Sequence, residues 1–210
     1  MNKILIILSL VLLTSYAPNA VPNEVPNEVP NEVPNEVPSK DLVERQGLTY
    51  EVNSQTPFSG SSVDYHSNGQ LLTKSNYKDG KQEGLRETYD NRGLLYSKEN
   101  YKDGKLDGLM EGYHDNGQLH YKTNYKDGRM VDGLYESYYE KGQLKSKSNY
   151  KDGEQVLWEF YYDNGQLQIK ENFKDGEQDG LEESYLENGQ LESKDCYKNG
   201  ESTDMSYCEK

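Results

Sequence analysis

Few side chains in this sequence have the types and spacing that chemistry requires. The three histidines, His66, His114 and His120, are scattered along the chain, whereas a metal site needs several ligands at a defined spacing. The segment Asp103–Gly108 has the composition of a calcium loop but lacks its alternating acidic positions, which favours a plain turn. The sequence contains no Walker loop, dinucleotide-binding glycine motif, HExxH, GxSxG or CxxC motif. We therefore expect no catalysis, no metal site and no cofactor.

The two cysteines, Cys196 and Cys208, are candidates for a disulfide if the chain is exported to an oxidising compartment. A two-residue turn at Asn199 and Gly200 places Cys196 opposite Thr203. Cys208 then reaches Cys196 only if the C-terminal segment folds back, because bridged cysteines need closely spaced Cα atoms. The sequence leaves open whether the two are bridged.

An internal repeat of about 24 residues organises the rest of the chain. Its first landmark is a turn of the form aromatic-Lys-Asp/Asn-Gly. This turn occurs at Tyr77–Gly80, Tyr101–Gly104, Tyr125–Gly128, Tyr150–Gly153, Phe173–Gly176 and Tyr197–Gly200, so that successive starts lie 24, 24, 25, 23 and 24 residues apart. The second landmark, Asn-Gly-Gln-Leu, begins at Asn68, Asn116, Asn164 and Asn188, and variants of it fill the two gaps. A fixed period of this length indicates a repeat architecture.

Each unit contains two turn signals with short runs rich in Tyr, Leu and Thr between them, a pattern typical of one β-hairpin per unit. We expect a two-residue turn at Asn116 and Gly117, which places Glu111 opposite Lys122. The same offset of eleven residues pairs Glu87 with Lys98, Glu136 with Lys147, Glu159 with Lys170 and Glu183 with Lys194. Opposite charges directly across an antiparallel pair stabilise it by roughly 0.2–1 kcal/mol each. The sequence therefore predicts an all-β fold, an antiparallel β-meander of tandem hairpin repeats.

A resemblance to a known repeat family rests on a small set of residues in each unit. In the third unit these are Tyr101, Gly104, Gly108, Leu109, Tyr113 and Asn116-Gly117-Gln118-Leu119. The unit resembles the MORN repeat in its bacterial variant form, the kind found in YwqK-type antitoxin proteins, and the likeness covers residues 47–208. It departs from the pattern around Val156-Leu157, where the second glycine is replaced. The resemblance implies an elongated, twisted, single antiparallel sheet that contacts proteins or lipid surfaces or acts as an antitoxin.

The N-terminal segment has the features of a secretory signal peptide, which we assign to residues 1–20. A basic start at Lys3 precedes the apolar run Ile4–Leu13, and small residues follow. This run is short for a bilayer span, so we favour export over a permanent anchor. In residues 21–40, Val-Pro-Asn-Glu occurs four times and is followed by Val-Pro-Ser-Lys, and a proline at every fourth position predicts a solvated spacer. We expect the mature chain to be periplasmic, in the outer envelope or secreted.

Residues 41–210 form the predicted array, with a cap at each end. The imperfect first unit, Asp41–Gly60, and the final segment, Ser202–Lys210, would cover the exposed edges of the sheet. Only 32% of the residues are hydrophobic and the net charge is -14, so stability must come from contacts between neighbouring units. The negative charge disfavours nucleic acid and anionic lipids as partners. Membrane contact is expected only through the signal segment, where that segment is uncleaved.

Positions that differ between units are candidates for function, because the fold requires the positions that repeat. On one predicted sheet face the middle units carry large aromatic side chains, namely Tyr135, Tyr139, Trp158, Phe160 and Tyr162. Exposed, such a patch is typical of a protein-binding surface, whereas a buried one would only pack the sheet. We predict a non-catalytic, exported protein-binding or scaffold module of the cell envelope. Two alternatives are an antitoxin, which the resemblance implies, and a structural envelope spacer, which the repeats favour.

Overall fold

The computed structural model describes residues 36–209. The predicted signal peptide and residues 21–35 of the predicted spacer lie outside the described residues. The described part is built almost entirely of β-strands, with two short 3-10 turns at Ser39–Asp41 and Met205–Tyr207. None of the elements within residues 36–209 is a helix with the length and apolar character that a membrane crossing requires.

Eighteen strands follow one another along residues 36–209. They are β1 (Glu36–Pro38), β2 (Leu42–Arg45), β3 (Leu48–Glu51), β4 (Gly60–Tyr65), β5 (Leu71–Lys78), β6 (Lys81–Tyr89), β7 (Leu95–Lys102), β8 (Lys105–Tyr113), β9 (Leu119–Lys126), β10 (Arg129–Met130), β11 (Gly133–Tyr138), β12 (Leu144–Lys151), β13 (Glu154–Tyr161), β14 (Leu167–Lys174), β15 (Glu177–Gln178), β16 (Gly180–Tyr185), β17 (Leu191–Lys198) and β18 (Glu201–Thr203).

Sixteen of these strands form one sheet, in which neighbours along the chain are neighbours in space from β4 onward. The short strands β10 and β15 pair with β9 and β14, beside the main path. This order confirms the predicted all-β meander of tandem hairpins. Two features differ from the prediction of a single antiparallel sheet. β1 pairs with β4 in parallel, and β2 and β3 form a separate two-stranded sheet.

The N-terminal edge of the large sheet is covered by residues that the sequence assigns to the spacer. Val37 of the edge strand β1 lies opposite Ser62 on β4 and is buried, and Glu36 approaches Lys74 at 3.7 Å. The predicted boundary at residue 40 therefore falls after the first strand of the sheet. The predicted cap, Asp41–Gly60, contacts a turn instead, because the Thr49 amide donates to the Gly80 carbonyl at 2.8 Å.

The two turns of each unit have different geometries. At the Asp-Gly turns both central residues have positive φ, as for Asp103 at 51° and Gly104 at 80°, which is the type I′ hairpin turn. The prediction of a two-residue turn at Asn116 and Gly117 is wrong. The Gly117 amide donates to the His114 carbonyl and the His114 amide donates to the Gln118 carbonyl, each at 2.8 Å, so three residues form the loop.

The predicted register is nevertheless confirmed, because two differences cancel. The three-residue loop pairs Tyr113 with Leu119, which shifts the strands by one residue relative to a two-residue turn. A β-bulge between Gly112 and Tyr113 then shifts the pairing back. As a result Glu111 lies opposite Lys122, and the other four predicted Glu–Lys pairs also form.

These pairs belong to one continuous line of alternating charges, which we call the charged row. It crosses eleven strands in the order Lys74, Glu87, Lys98, Glu111, Lys122, Glu136, Lys147, Glu159, Lys170, Glu183 and Lys194, and each member lies directly opposite the next. Lys122 Nζ lies 2.7 Å from Glu136 Oε2, and Lys194 Nζ lies 2.7 Å from Glu183 Oε1. Each interior charge therefore has an opposite charge on both sides.

Tyrosine side chains lie beside the charged row on the same face of the sheet. The hydroxyls of Tyr113 and Tyr161 donate to Glu111 and Glu159 at 2.9 Å. Burial, followed by the hydrogen bond to the carboxylate, raises the pKa of each of these tyrosines to about 12. They stay protonated and act as donors to the charged row across the physiological pH range.

A second bulge explains the glycine of the Asp107-Gly108-Leu109 sequence in this unit. The pairing of β7 with β8 shifts between Glu99 and Tyr101, and the amide of the intervening Asn100 donates to the Leu109 carbonyl at 2.7 Å. Gly108 has φ of +118°, and a Cβ there would lie 3.1 Å from the Asn100 Cβ. Glycine is required because the backbone is left-handed and the asparagine packs against it.

Candidate protein-binding face

The face of the sheet opposite the charged row carries the predicted aromatic residues Tyr135, Trp158 and Phe160. Glu159 belongs to the charged row, so its neighbours Trp158 and Phe160 point to the other side. Across the strands, Trp158 lies opposite Ser148, and Ser148 lies opposite Tyr135. We call this side of the sheet the Trp158 face.

Trp158 and Phe160 form one wall of a surface groove on this face. Their ring centroids are 5.6 Å apart and the ring planes are inclined by 42°. The groove has a volume of about 340 Å³, and we call it the Trp158 groove. It is lined by Trp158, Phe160, Tyr162, Gln168, Ile169, Ser184, Tyr185 and Glu192. The four aromatic residues among them, Trp158, Phe160, Tyr162 and Tyr185, are half-buried, so each keeps surface that a ligand can cover.

Tyr139 and Tyr162 have a structural function that the sequence pattern does not reveal. Their hydroxyls donate to the carbonyls of Tyr161 and Tyr185, one unit further along, at 2.7 and 2.9 Å. His114 Nε2 makes the equivalent contact at 2.8 Å. In these three units, the residue that precedes the three-residue loop therefore ties one unit to the next.

The five predicted residues consequently do not form one patch. Trp158, Phe160 and Tyr162 meet in the Trp158 groove. Tyr135 lies two strands away from Trp158 and stacks on Tyr121, with centroids 6.1 Å apart. Tyr139 lines a different cavity of about 410 Å³, together with His114 and Lys145.

Three carboxylates continue the Trp158 face toward the C-terminal end, and we call them the acidic triad, Glu171, Glu182 and Asp195. Glu171 lies directly opposite Trp158, and Glu182 lies opposite Asp195. Burial and then the nearby Glu182 raise the pKa of Glu171. Glu182 is the largest of the influences that raise the pKa of Tyr197, to which Asp195 and Glu171 also contribute. The triad is therefore a local concentration of negative charge beside the groove.

Comparison with known families identifies the repeat. The profile of the family described as MORN repeat variant matches residues 59–79, 106–127, 131–152, 154–175 and 178–199, just over half of the chain. The chain belongs to the MORN repeat variant family. This confirms the predicted repeat type, while the antitoxin subclass stays a proposal.

Solved structures and curated proteins add little to the MORN assignment. A structure titled "Crystal structure of GtfA/B complex bound to UDP and GlcNAc" is 19% identical over 52% of this chain, with a TM-score of 0.22. Another, of accessory secretory protein 1,2 and 3 in Streptococcus pneumoniae, is 15% identical over 75% of this chain, with a TM-score of 0.20. The match spans 22% of the length of each of those chains. No curated protein matches.

Two of the three histidines of the MORN array, His114 and His120, lie against each other, whereas His66 Nε2 contacts the Tyr89 carbonyl at 2.9 Å. The rings of His114 and His120 are 4.2 Å apart between centroids. Burial and then the neighbouring His114 lower the pKa of His120. Among residues 36–209, no group of three or more His, Cys, Asp or Glu side chains is placed to hold a metal ion.

The C-terminal end of the MORN array is closed by a disulfide between Cys196 and Cys208, whose Cα atoms are 6.1 Å apart. Cys196 lies opposite Thr203, as the turn at Asn199 predicts. The segment after β18 folds back through the 3-10 turn at Met205–Tyr207, and the Tyr207 hydroxyl donates to Asp179 at 2.9 Å. This reversal brings Cys208 to Cys196.

Proposed function

We propose that this MORN repeat protein is a non-catalytic module that binds another protein in the Trp158 groove. One observation carries the proposal. In four other units the position equivalent to Phe160 holds a small residue, namely Thr88, Gly112, Ser137 or Ser184. Phe160 departs from this pattern and places a second large aromatic ring beside Trp158. Half-buried aromatic side chains dominate the binding energy of many protein interfaces.

The chemistry of the groove favours binding over reaction. The serine of the groove, Ser184, shares a hydrogen bond of 2.9 Å with Ser193 and so has a hydroxyl, not a general base, beside it. The remaining lining is mainly aromatic and aliphatic, and these groups bury a partner's apolar side chain well. We assign no reaction to the groove.

The proposed place of action is outside the cytoplasm, in the cell envelope or the medium. The support is the N-terminal sequence, in which a basic start and an apolar run precede the Val-Pro-Asn-Glu spacer. Cell fractionation followed by N-terminal sequencing tests this, and a shortened chain outside the cytoplasm is expected. Full-length protein in the cytosol would contradict export and would favour the antitoxin alternative, since an antitoxin must share its toxin's compartment.

The binding proposal is tested by comparing the proteins retained by the wild type and by Trp158→Ala/Phe160→Ala. Each is immobilised and exposed to the same envelope fraction, after circular dichroism has shown that the sheet is intact. We expect the double variant to lose a specific partner. Tyr135→Ala is the matched control, because it removes an aromatic ring from the same face outside the groove.

Two results would count against the groove. Identical partner sets for the wild type and the double variant would exclude it as the binding site and leave the structural spacer as the better interpretation. Relief of growth inhibition when the chain is co-expressed with a toxin would instead favour the antitoxin alternative.

A further inference from the structure

We infer that the partner of the Trp158 groove is a protein segment in which an arginine stands next to an apolar side chain. This inference rests on the proposed function and adds the chemistry of the partner. The apolar side chain fills the groove, and the guanidinium lies between Trp158 and the acidic triad, Glu171, Glu182 and Asp195.

The first argument is position. Trp158 and Glu171 are directly opposite residues on neighbouring strands, and such residues have Cβ atoms roughly 5 Å apart. Glu182 and Asp195 follow on the next two strands. A side chain that extends from the groove past Trp158 toward Glu171 therefore meets carboxylates.

The second argument is that the triad has no cation of its own. Among residues 36–209, none of its three members forms an ion pair. The amide of Gln178 donates to Glu182, and the hydroxyl of Ser193 donates to Asp195. Both donors are neutral. The same face balances its charge elsewhere, where Arg86 lies 3.7 Å from Glu99.

The third argument is the electrostatic repulsion within the acidic triad when no partner is bound. Burial and the proximity of Glu182 raise the pKa of Glu171, so its charged form is disfavoured where it stands. A cation supplied by the partner removes this repulsion. Clusters of like charge at an interface favour partners of opposite charge, and the net charge of -14 attracts such a partner at long range.

Arginine fits the site better than lysine. Its planar guanidinium donates to two carboxylates at once and also stacks on an aromatic face, whereas an ammonium is a compact point charge. Trp158 is the preferred aromatic for such a cation–π contact. Both kinds of acceptor lie side by side here, since Trp158 and Glu171 are cross-strand neighbours.

The experiment uses the fluorescence of Trp158, which is the single tryptophan in the chain. The probe is a synthetic peptide of alternating leucine and arginine, titrated into the full-length protein, and the same peptide with glutamate in place of arginine is the charge control. We expect a saturable change with the arginine peptide, and none with the glutamate peptide. The arginine peptide should bind about tenfold more weakly to Glu171→Gln/Glu182→Gln.

A matched control separates the triad from the overall charge. Asp152→Asn/Asp175→Asn also removes two negative charges, at exposed turn positions where asparagine tolerates the positive φ of 54° and 51°. It should bind the arginine peptide as the wild type does. Equal binding by the glutamine variant and the wild type would overturn the inference, as would absence of binding to the wild type or equal weakening in both double variants.

Failure of the inference and failure of the proposed function give different results. If Trp158→Ala/Phe160→Ala loses its envelope partner while Glu171→Gln/Glu182→Gln retains it, the groove binds a partner, but the inference that this partner contributes an arginine is refuted. If Trp158→Ala/Phe160→Ala retains every partner, the proposed function itself fails. Calorimetry replaces fluorescence for the variant that lacks Trp158.

Discussion

Exchanging the charges of Lys122 and Glu136 should fail to restore the stability that Lys122→Glu loses. In the wild type, Lys122 lies between Glu111 and Glu136, and Glu136 lies between Lys122 and Lys147. Lys122→Glu therefore creates like-charge contacts on both sides. In Lys122→Glu/Glu136→Lys the two exchanged positions attract each other, but position 122 repels Glu111 and position 136 repels Lys147.

The size of the effect follows from the number of contacts that change sign. Both variants convert two favourable cross-strand contacts into unfavourable ones, each worth roughly 0.2–1 kcal/mol in either direction. The side chains of Lys122 and Glu136 are 38% and 16% exposed, so solvent screens part of this energy. We expect each variant to lose about 1–2 kcal/mol, which lowers the melting temperature of an array of this size by about 2–8 °C.

Thermal unfolding followed by far-ultraviolet circular dichroism measures both losses. High salt should reduce the differences in melting temperature between the wild type and the two variants, because it screens exposed charges. Lys141→Glu, at an exposed loop position outside the charged row, is the control and should leave the midpoint unchanged. Recovery of the wild-type midpoint in the double exchange would show that Lys122 and Glu136 act as an isolated pair, and would refute the continuous row.

Three further predictions concern packing, the disulfide and pH. Gly112→Ala should cost roughly 1–3 kcal/mol, because a Cβ there would overlap the Tyr121 ring, and Gly112→Ala/Tyr121→Ser should recover most of it in thermal unfolding. Cys208→Ser should cost roughly 2–4 kcal/mol of unfolding free energy in denaturant titrations under oxidising conditions, and an unchanged midpoint would contradict a stabilising disulfide. Glu171→Gln should raise the melting temperature at neutral pH and lose this advantage below about pH 4. The reason is that the raised pKa of Glu171 reflects a cost of ionising this carboxyl in the folded state, and that cost disappears once the carboxyl is protonated in both the folded and the unfolded states. Parallel pH profiles of the variant and the wild type would exclude this.

The register of the sheet is predictable from the sequence because the same spacing between a glutamate and a lysine recurs in successive units. The offset of eleven residues between Glu111 and Lys122 recurs in five hairpins and gives the correct pairing in each. The loop length is not predictable from this offset, since the offset reports only the sum of loop and bulge. A two-residue turn without a bulge and the observed three-residue loop with a bulge at Gly112 place the same charges opposite each other.

The sequence predicts which aromatic residues of the candidate site share a face, but not the hydrogen bonds that some of them make. Trp158 and Phe160 are two residues apart within one strand, and alternation places them on the same face. Tyr162 follows at the same spacing and lines the same groove, but the sequence gives no sign of the hydrogen bonds that Tyr139 and Tyr162 make. Their hydroxyls bind main-chain carbonyls, and a carbonyl has no side chain that could mark it in a sequence.

The alternation of the charged row also bears on how such a chain can change length during evolution. Each whole unit contributes one glutamate and one lysine to the row, as Glu111 and Lys122 do in the third unit. If recombination between similar gene segments deletes or duplicates a whole unit, every new junction still joins opposite charges. A change by half a unit brings two like charges together and also reverses the strand direction. The row therefore permits change in steps of whole hairpins, so length variants of the array can fold without compensating substitutions.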